Sequence, residues 1–199
     1  MNQTLNNPTS ISRIKHSHIS PHFVDKRKCG IIYFGGGCKV QKTFNYDSFN
    51  LSLKELNSKE DLLDDDFEFT KLEIAEFLEE NLGKYGDPKE DIISSIDYAF
   101  SEEKGRGGFV LVLHNDDSIV GAVVINDTGM EGYIPEHVLV YIAVDKDCRG
   151  KGIGSNLLKE TISRCDGDIS LHVEYGNPAR RLYEKVGFES KYAEMRYKS

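Results

Sequence analysis

Apolar and polar positions alternate along residues 51–56, "LSLKEL", which is the period of a strand, and Asn57 or Ser58 follows as a helix cap. Between 67 and 82 the period lengthens. Ile74, Phe77, Leu78 and Leu82 recur at helical spacing, and Gly83 ends the run. Pro88 opens a second helix with Ile92, Ile93, Ile96, Ala99 and Phe100 on its apolar face. "GFVLVLH" and "SIVGAVVIN" then read as strands around the turn Asn115-Asp116-Asp117, and "EHVLVYIAV" is a third strand. A helix carrying Ile153, Leu157, Leu158, Thr161 and Ile162 on one side comes next, followed by the strand "DISLHVEY". Asn177-Pro178 starts a last helix through Ala179, Leu182, Tyr183 and Val186. Two short strands, near Phe188 and across "AEMRY", close the order β-α-α-β-β-β-α-β-α-β-β. That pattern predicts a mixed α/β (α+β) domain over residues 51–199, a mostly antiparallel sheet flanked by helices. Residues 1–50 show no sustained period and read as an N-terminal extension, with "CGIIYFGGGCKV" as a hairpin turning at Gly35-Gly36-Gly37.

Composition narrows the class. The chain has 199 residues, 39% hydrophobic and 29% charged, as expected of an ordinary soluble domain. No apolar stretch approaches the roughly 18 residues that cross a bilayer, and no signal-peptide pattern opens the chain, so a cytoplasmic protein without a membrane partner is expected. Residues 1–24 lack acids and are faintly transit-like, but read better as an extension. Cys29, Cys38, Cys148 and Cys165 form no CxxC pair, and His16, His18 and His22 lie in a polar tail, so no metal site is expected. Charge is uneven: residues 1–54 carry a net +6, residues 55–104 a net −12 and residues 105–199 a net −2. Such a body is a poor partner for nucleic acid.

The candidate chemistry sits in "VDKDCRGKGIGSNLL", where a strand breaks into alternating glycines before a helix. A Walker loop needs GxxxxGK followed by Ser or Thr, but Gly154 is followed by Ser155 with no Lys-Ser/Thr pair. A dinucleotide fold needs GxGxxG in an early βαβ unit, whereas this is GxGxG, late and after antiparallel hairpins. What remains is a tight turn whose successive amides, at a helix start, point at an anion such as a pyrophosphate, with Arg149 and Lys151 adding charge.

Arg149-x-x-Gly152-x-Gly154 after "VDKDC" resembles the acetyl-CoA signature of the GNAT N-acetyltransferases, and "LHVEYGNPARRLYEKVGF" resembles that family's second signature. "LSLKELNSKED" is similar to its opening strand and helix, so the resemblance spans roughly residues 51–199. It implies an N-acetyltransferase that moves the acetyl group of acetyl-CoA to a primary amine by direct attack on the thioester. The sheet would splay after the fourth strand, residues 136–144, and the backbone of Ile142, Ala143 and Val144 would pair with the pantetheine arm. The amides of Gly150, Lys151, Gly152, Ile153, Gly154 and Ser155, with Arg149, would take the pyrophosphate. Tyr183 stands where the family carries the general acid that protonates the CoA thiolate, and packing on the helix's apolar face is its other reading. Asn177 is both a cofactor contact in the family and an ideal cap before proline, although its spacing to Tyr183 is a short variant of the family pattern.

The general base is less defined. The family's glutamate position falls near Val138, which leaves Glu136 and His137 as weak candidates, with His172 and Glu174 nearby. The first two helices wall the acceptor site in this family, and here they carry the acidic block, including Asp64-Asp65-Asp66, Glu79 and Glu80. The block reads as attraction for a small-molecule cationic amine or a basic peptide, or as a plain solvated face. The competing classes are a CoA-binding regulatory module without turnover, against which Tyr183 argues, and a generic nucleotide binder. A strand added to a sheet edge or a homodimer contact are roles open to residues 1–50.

Overall fold

The computed structural model describes residues 29–31, 42–46 and 49–197, with side chains from Asn50 onward. His16, His18, His22, Cys38 and the turn at Gly35–Gly37 lie outside them. Strand β1 is Cys29–Ile31, β2 Lys42–Tyr46 and β3 Phe49–Leu56. Helices α1 (Lys71–Leu82) and α2 (Lys89–Ala99) follow. Then come β4 (Gly108–His114), β5 (Ile119–Asp127), β6 (His137–Val144), α3 (Ile153–Ile162), β7 (Ile169–Leu171) and α4 (Arg180–Val186). One seven-stranded sheet runs in the order β1 to β7. Every pair is antiparallel except β6 with β7. This is the mixed, mostly antiparallel sheet that the periodicity predicts.

The helices begin where the local chemistry dictates. Thr70 and Glu73 form a capping box, in which the Thr70 hydroxyl accepts from the Glu73 amide and the Glu73 carboxylate accepts from the Thr70 amide. Pro88 precedes α2, and Gly83 ends α1 with a positive φ. Asn57 and Ser58 act differently from expectation. They donate to the Asp61 carboxylate and lead into a single 3-10 turn, Glu60–Leu63, ahead of α1.

Both faces of β4 and β5 are covered. One apolar cluster joins α1 and α2 to the sheet through Ile74, Leu78, Ile92, Ile96, Val110 and Val112. The other joins α3 and α4 through Ile153, Leu157, Leu158, Tyr183, Leu111 and Val123. Burying single side chains of this size contributes about 1.5–3 kcal/mol each, and this double layer fixes the sheet between its helices.

Two expectations are corrected. The strand "DISLHVEY" shrinks to Ile169–Leu171. The two closing strands do not form, and residues 187–197 carry no helix or strand. A strand needs an edge to pair with, and β7 offers three residues, so Met195 and Tyr197 remain 93% and 95% exposed despite their alternation. β1 and β2 extend the same sheet beyond β3, with Lys42 to Tyr46 paired against Leu53 to Phe49, so of the roles open to residues 1–50 the described ones take that of strands added to the sheet edge.

Candidate functional site

The site begins with a miscount in β6. Tyr141 faces Val124 on β5 and Leu139 faces Ile125, so Val140 is an extra residue with no opposite number. Such a bulge breaks the two-residue alternation and bends its strand. Leu139 accordingly joins the α3/α4 cluster, whereas Tyr141 and Ala143 join the α1/α2 cluster. β7 pairs with β6 only at His137, Val138 and Leu139. From the bulge onward, the edge of β6 that faces away from β5 has no strand beside it among the described residues, and the sheet opens along Tyr141–Val144.

The opening leads into the glycine turn. Asp145 accepts from the Asp147 amide at 2.9 Å and starts one 3-10 turn, Lys146–Cys148. Gly150 (φ 78°) and Gly152 (φ 85°) adopt the left-handed conformation that side chains resist, and a Cβ at either would meet nothing within 4 Å, so the turn borders open space. The first bond of α3 runs from the Asn156 amide to the Gly152 carbonyl, so the amides of residues 153–155 precede the helical ladder at its positive end. A Cβ on Gly154 would lie 3.4 Å from Leu182 and 3.5 Å from Val144, which places the first turn of α3 against both α4 and the end of β6. The residues fit an anionic ligand: free-standing amides, two left-handed glycines and exposed Lys151.

Arg149 acts on the protein rather than at the rim. Its guanidinium donates to the Val144 carbonyl at 3.0 Å and the Asn81 carbonyl at 2.6 Å. Asn81 also accepts from the Lys146 amide at 3.1 Å, and Lys146 reaches Glu80 at 3.0 Å. The end of α1 is thus tied to the glycine turn. No sequence pattern marked Asn81, because a helix-terminal carbonyl carries no side-chain signature.

Tyr183 is buried in the α3/α4 cluster, with its ring edge-on to Phe188 at 6.0 Å. Burial alone pushes its phenol up to about 12, so it is protonated at any physiological pH. Asn177 accepts from the Ala179 amide at 2.9 Å, a turn just ahead of α4 and not a cap on it, since Ala179 holds the N-cap position. Beside it, an open pocket of about 460 Å³ is lined by Tyr175, Asn177, Arg180 and Arg181.

The base candidates lie at the start of β6. The Glu136 carboxylate accepts from the Asp168 amide at 2.7 Å and the Gly132 amide at 3.3 Å. Those amides, Asp168 first, hold its pKa below the usual glutamate range, which makes it a poorer base. His137 has Nδ1 2.7 Å from Asp127 Oδ1 and Nε2 3.2 Å from the Asp166 carbonyl oxygen, so both ring nitrogens are occupied. It stands five residues before Ile142, about 16 Å along a strand. Sequence position suggested these two, and the bonds assign them to holding the start of β6 against the loops around it. The polar pair that does face the open half of β6 was missed: Tyr141 donates to Asp87 Oδ2 at 2.8 Å. Burial, then that bond, raises the Tyr141 phenol well above its ordinary value. Among the described residues no group of acids, histidines and cysteines could hold a metal, and no helix is long and apolar enough to cross a membrane.

The family model of the acetyltransferase (GNAT) domain matches residues 106–190, the stretch that contains the bulge, the glycine turn and Tyr183. These residues are a GNAT acetyltransferase domain. Solved structures share the GNAT fold at low identity. A GNAT family acetyltransferase from Streptococcus pneumoniae superposes with a TM-score of 0.52 at 17% identity, over 75% of this chain and 98% of that one. An aminoglycoside N-acetyltransferase in complex with CoA gives 0.51 at 14%, over 75% and 94%. An aminoglycoside acetyltransferase from an uncultured soil metagenomic sample gives 0.50 at 16%, over 76% and 99%. No curated protein matches the sequence. The fold shared with these neighbours is a mixed, mostly antiparallel sheet flanked by helices, and acetyl transfer is the general activity of the family.

Proposed function

We propose that this GNAT domain transfers the acetyl group of acetyl-CoA to a primary amine. The observation that carries the reading is the unpaired half of β6 beyond the Val140 bulge, opening directly onto the glycine turn. An extended pantetheine arm would take the place of the missing strand against Ile142, Ala143 and Val144, as a peptide adds to a sheet edge. The amides of Gly150 to Ser155 would hold the pyrophosphate, and Arg149 would keep that turn in register with the end of β6.

In this reading the neutral amine attacks the thioester carbonyl carbon, and a backbone N–H of β6 stabilises the oxyanion. The carbon–sulfur bond breaks, the thiolate takes the Tyr183 proton, and the proton lost by the nitrogen returns to the phenolate through water. A phenol that burial keeps protonated suits the acid's role. Tyr183 and Asn177 are proposed on their positions alone, with Asn177 setting the α4 wall rather than gripping the cofactor.

The test is thiol release from acetyl-CoA with a panel of amines, alongside calorimetry of acetyl-CoA binding. Amine-dependent release of CoA is expected. Tight binding without release for any amine would instead identify a module that senses CoA.

A further inference from the structure

Residues 85–87, between the end of α1 and the start of α2, span the opening of the sheet. On one side Asp87 Oδ2 accepts from Tyr141 of β6 at 2.8 Å. On the other, the Tyr85 hydroxyl donates to the Gly176 carbonyl, between β7 and α4, at 3.0 Å. Gly86 lets this strap lie flat on α1, because a Cβ there would come within 2.7 Å of the Leu82 Cβ. Tyr141 is 7% exposed, so its phenol is a fixed post that orients an otherwise exposed carboxylate. Tyr141 directly precedes Ile142–Val144, on the face of β6 opposite α3 and the glycine turn.

A carboxylate fixed at that position selects for positive charge, and the chain supplies an illustration. The exposed Arg196 guanidinium, bonded first to Glu194, also lies within the field of Asp87. Asp91 adds a second negative charge near the Tyr141 hydroxyl. Which amine of an acceptor would Asp87 hold? The attacking nitrogen must shed a proton, and pairing it with a carboxylate favours the charged form and opposes attack. The pairing helps only if it engages a different nitrogen.

We propose that Asp87 is a specificity-determining residue that docks a second cationic group of the acceptor, so that the preferred acceptors are di- or polycationic amines. The proposal rests on the acetyl-transfer reading and adds the acceptor class to it. Asp87 positions the acceptor and takes no part in proton transfer.

The experiment compares 1,4-diaminobutane with butylamine, which has the same carbon chain and one charge fewer, as acceptors for the wild type, Asp87→Asn and Tyr141→Phe. A charge-assisted bond predicts that the wild type prefers the diamine by about tenfold or more in kcat/KM. Asp87→Asn should shrink that ratio to about threefold or less, through the KM of the diamine, and Tyr141→Phe, which frees the carboxylate to swing, should give an intermediate ratio. Acetyl-CoA affinity, measured by calorimetry, reports that each variant is folded. Turnover without a diamine preference, or a preference that survives in Asp87→Asn, overturns the role of Asp87 and leaves acetyl transfer standing. Acetyl-CoA binding with no turnover of either amine overturns both.

Discussion

Tyr183→Phe tests the burial of the phenol and its proposed chemistry in one variant, because the ring that packs edge-on against Phe188 is retained and only the hydroxyl is lost. Burial raises the phenol from 10.0 to about 12, so between those values an unfolded chain has released this proton while the folded one retains it. The unfolded state then binds fewer protons, and stability must fall as pH rises through that window, having been complete below it. At pH 11 the difference amounts to about 1.4 kcal/mol, one pKa unit's worth of linkage. Chemical denaturation of wild type and Tyr183→Phe at pH 8 and pH 11 isolates it, since every other tyrosine is common to both proteins. The wild type should lose about 1.4 kcal/mol more than the variant over that interval. Turnover of acetyl-CoA at neutral pH, under conditions where chemistry limits the rate, should fall by about 10²-fold or more with cofactor affinity unchanged. Parallel alkaline losses would refute the burial argument. Normal turnover would show that water protonates the thiolate and that Tyr183 only packs.

Further predictions follow from single contacts. Gly152→Val forces a branched side chain into a φ of 85°, at a strain of about 1–3 kcal/mol, and should abolish acetyl-CoA binding in calorimetry while circular dichroism still reports a folded domain. Arg149→Ala removes two charged bonds to backbone carbonyls and should weaken acetyl-CoA binding about tenfold; unchanged affinity would show that the turn holds its shape without them. Glu136→Gln should lower the melting temperature at pH 7, with the difference fading as pH falls through the depressed carboxyl pKa, and should keep turnover; a lost rate at unchanged stability would restore it as a base. A chain beginning at Phe49 keeps all the buried side chains described here, Leu51 being the first, and should fold and bind acetyl-CoA. It bares the β3 edge, so gel filtration should show more self-association than the full chain, and an insoluble product would make β2 part of the domain.

The helices were legible because their apolar spacing and end residues agree: Gly83 and Pro88 punctuate the same elements that Ile74, Leu78, Ile92 and Ile96 anchor, whereas the capping box at Thr70 came only from the structure. The glycine turn was legible for a similar reason, since Gly150 and Gly152 adopt backbone angles that few other residues accept. Pairing was harder to read. "AEMRY" alternates as well as any strand, but alternation says nothing about whether an edge is waiting for it, and Tyr197 stays exposed. β1 and β2 form the sheet's far edge from segments with almost no apolar period. Asp87 and Tyr141 lie 54 positions apart, so neither marks the other in the sequence. Glu136 and His137 stand near an expected catalytic position in the sequence, whereas their bonding partners, Asp168 and Asp127, come from other segments.

Because the opening in the sheet arises from how many residues β6 holds and not from which they are, its weak point is length. An isosteric exchange at Val140 would leave two residues facing one, and the strand would still diverge. Excising that residue would leave Tyr141 opposite Val124 and Leu139 opposite Ile125 with nothing spare between them, and regular pairing would straighten the strand. Tyr141 would still face α1 and Leu139 α3, because the two already lie on opposite faces, but the free edge of Ile142 to Val144 would no longer turn away from the line of β7. A substitution scan would rate position 140 as permissive, while a single-codon deletion there would close the gap without moving any side chain to the other face.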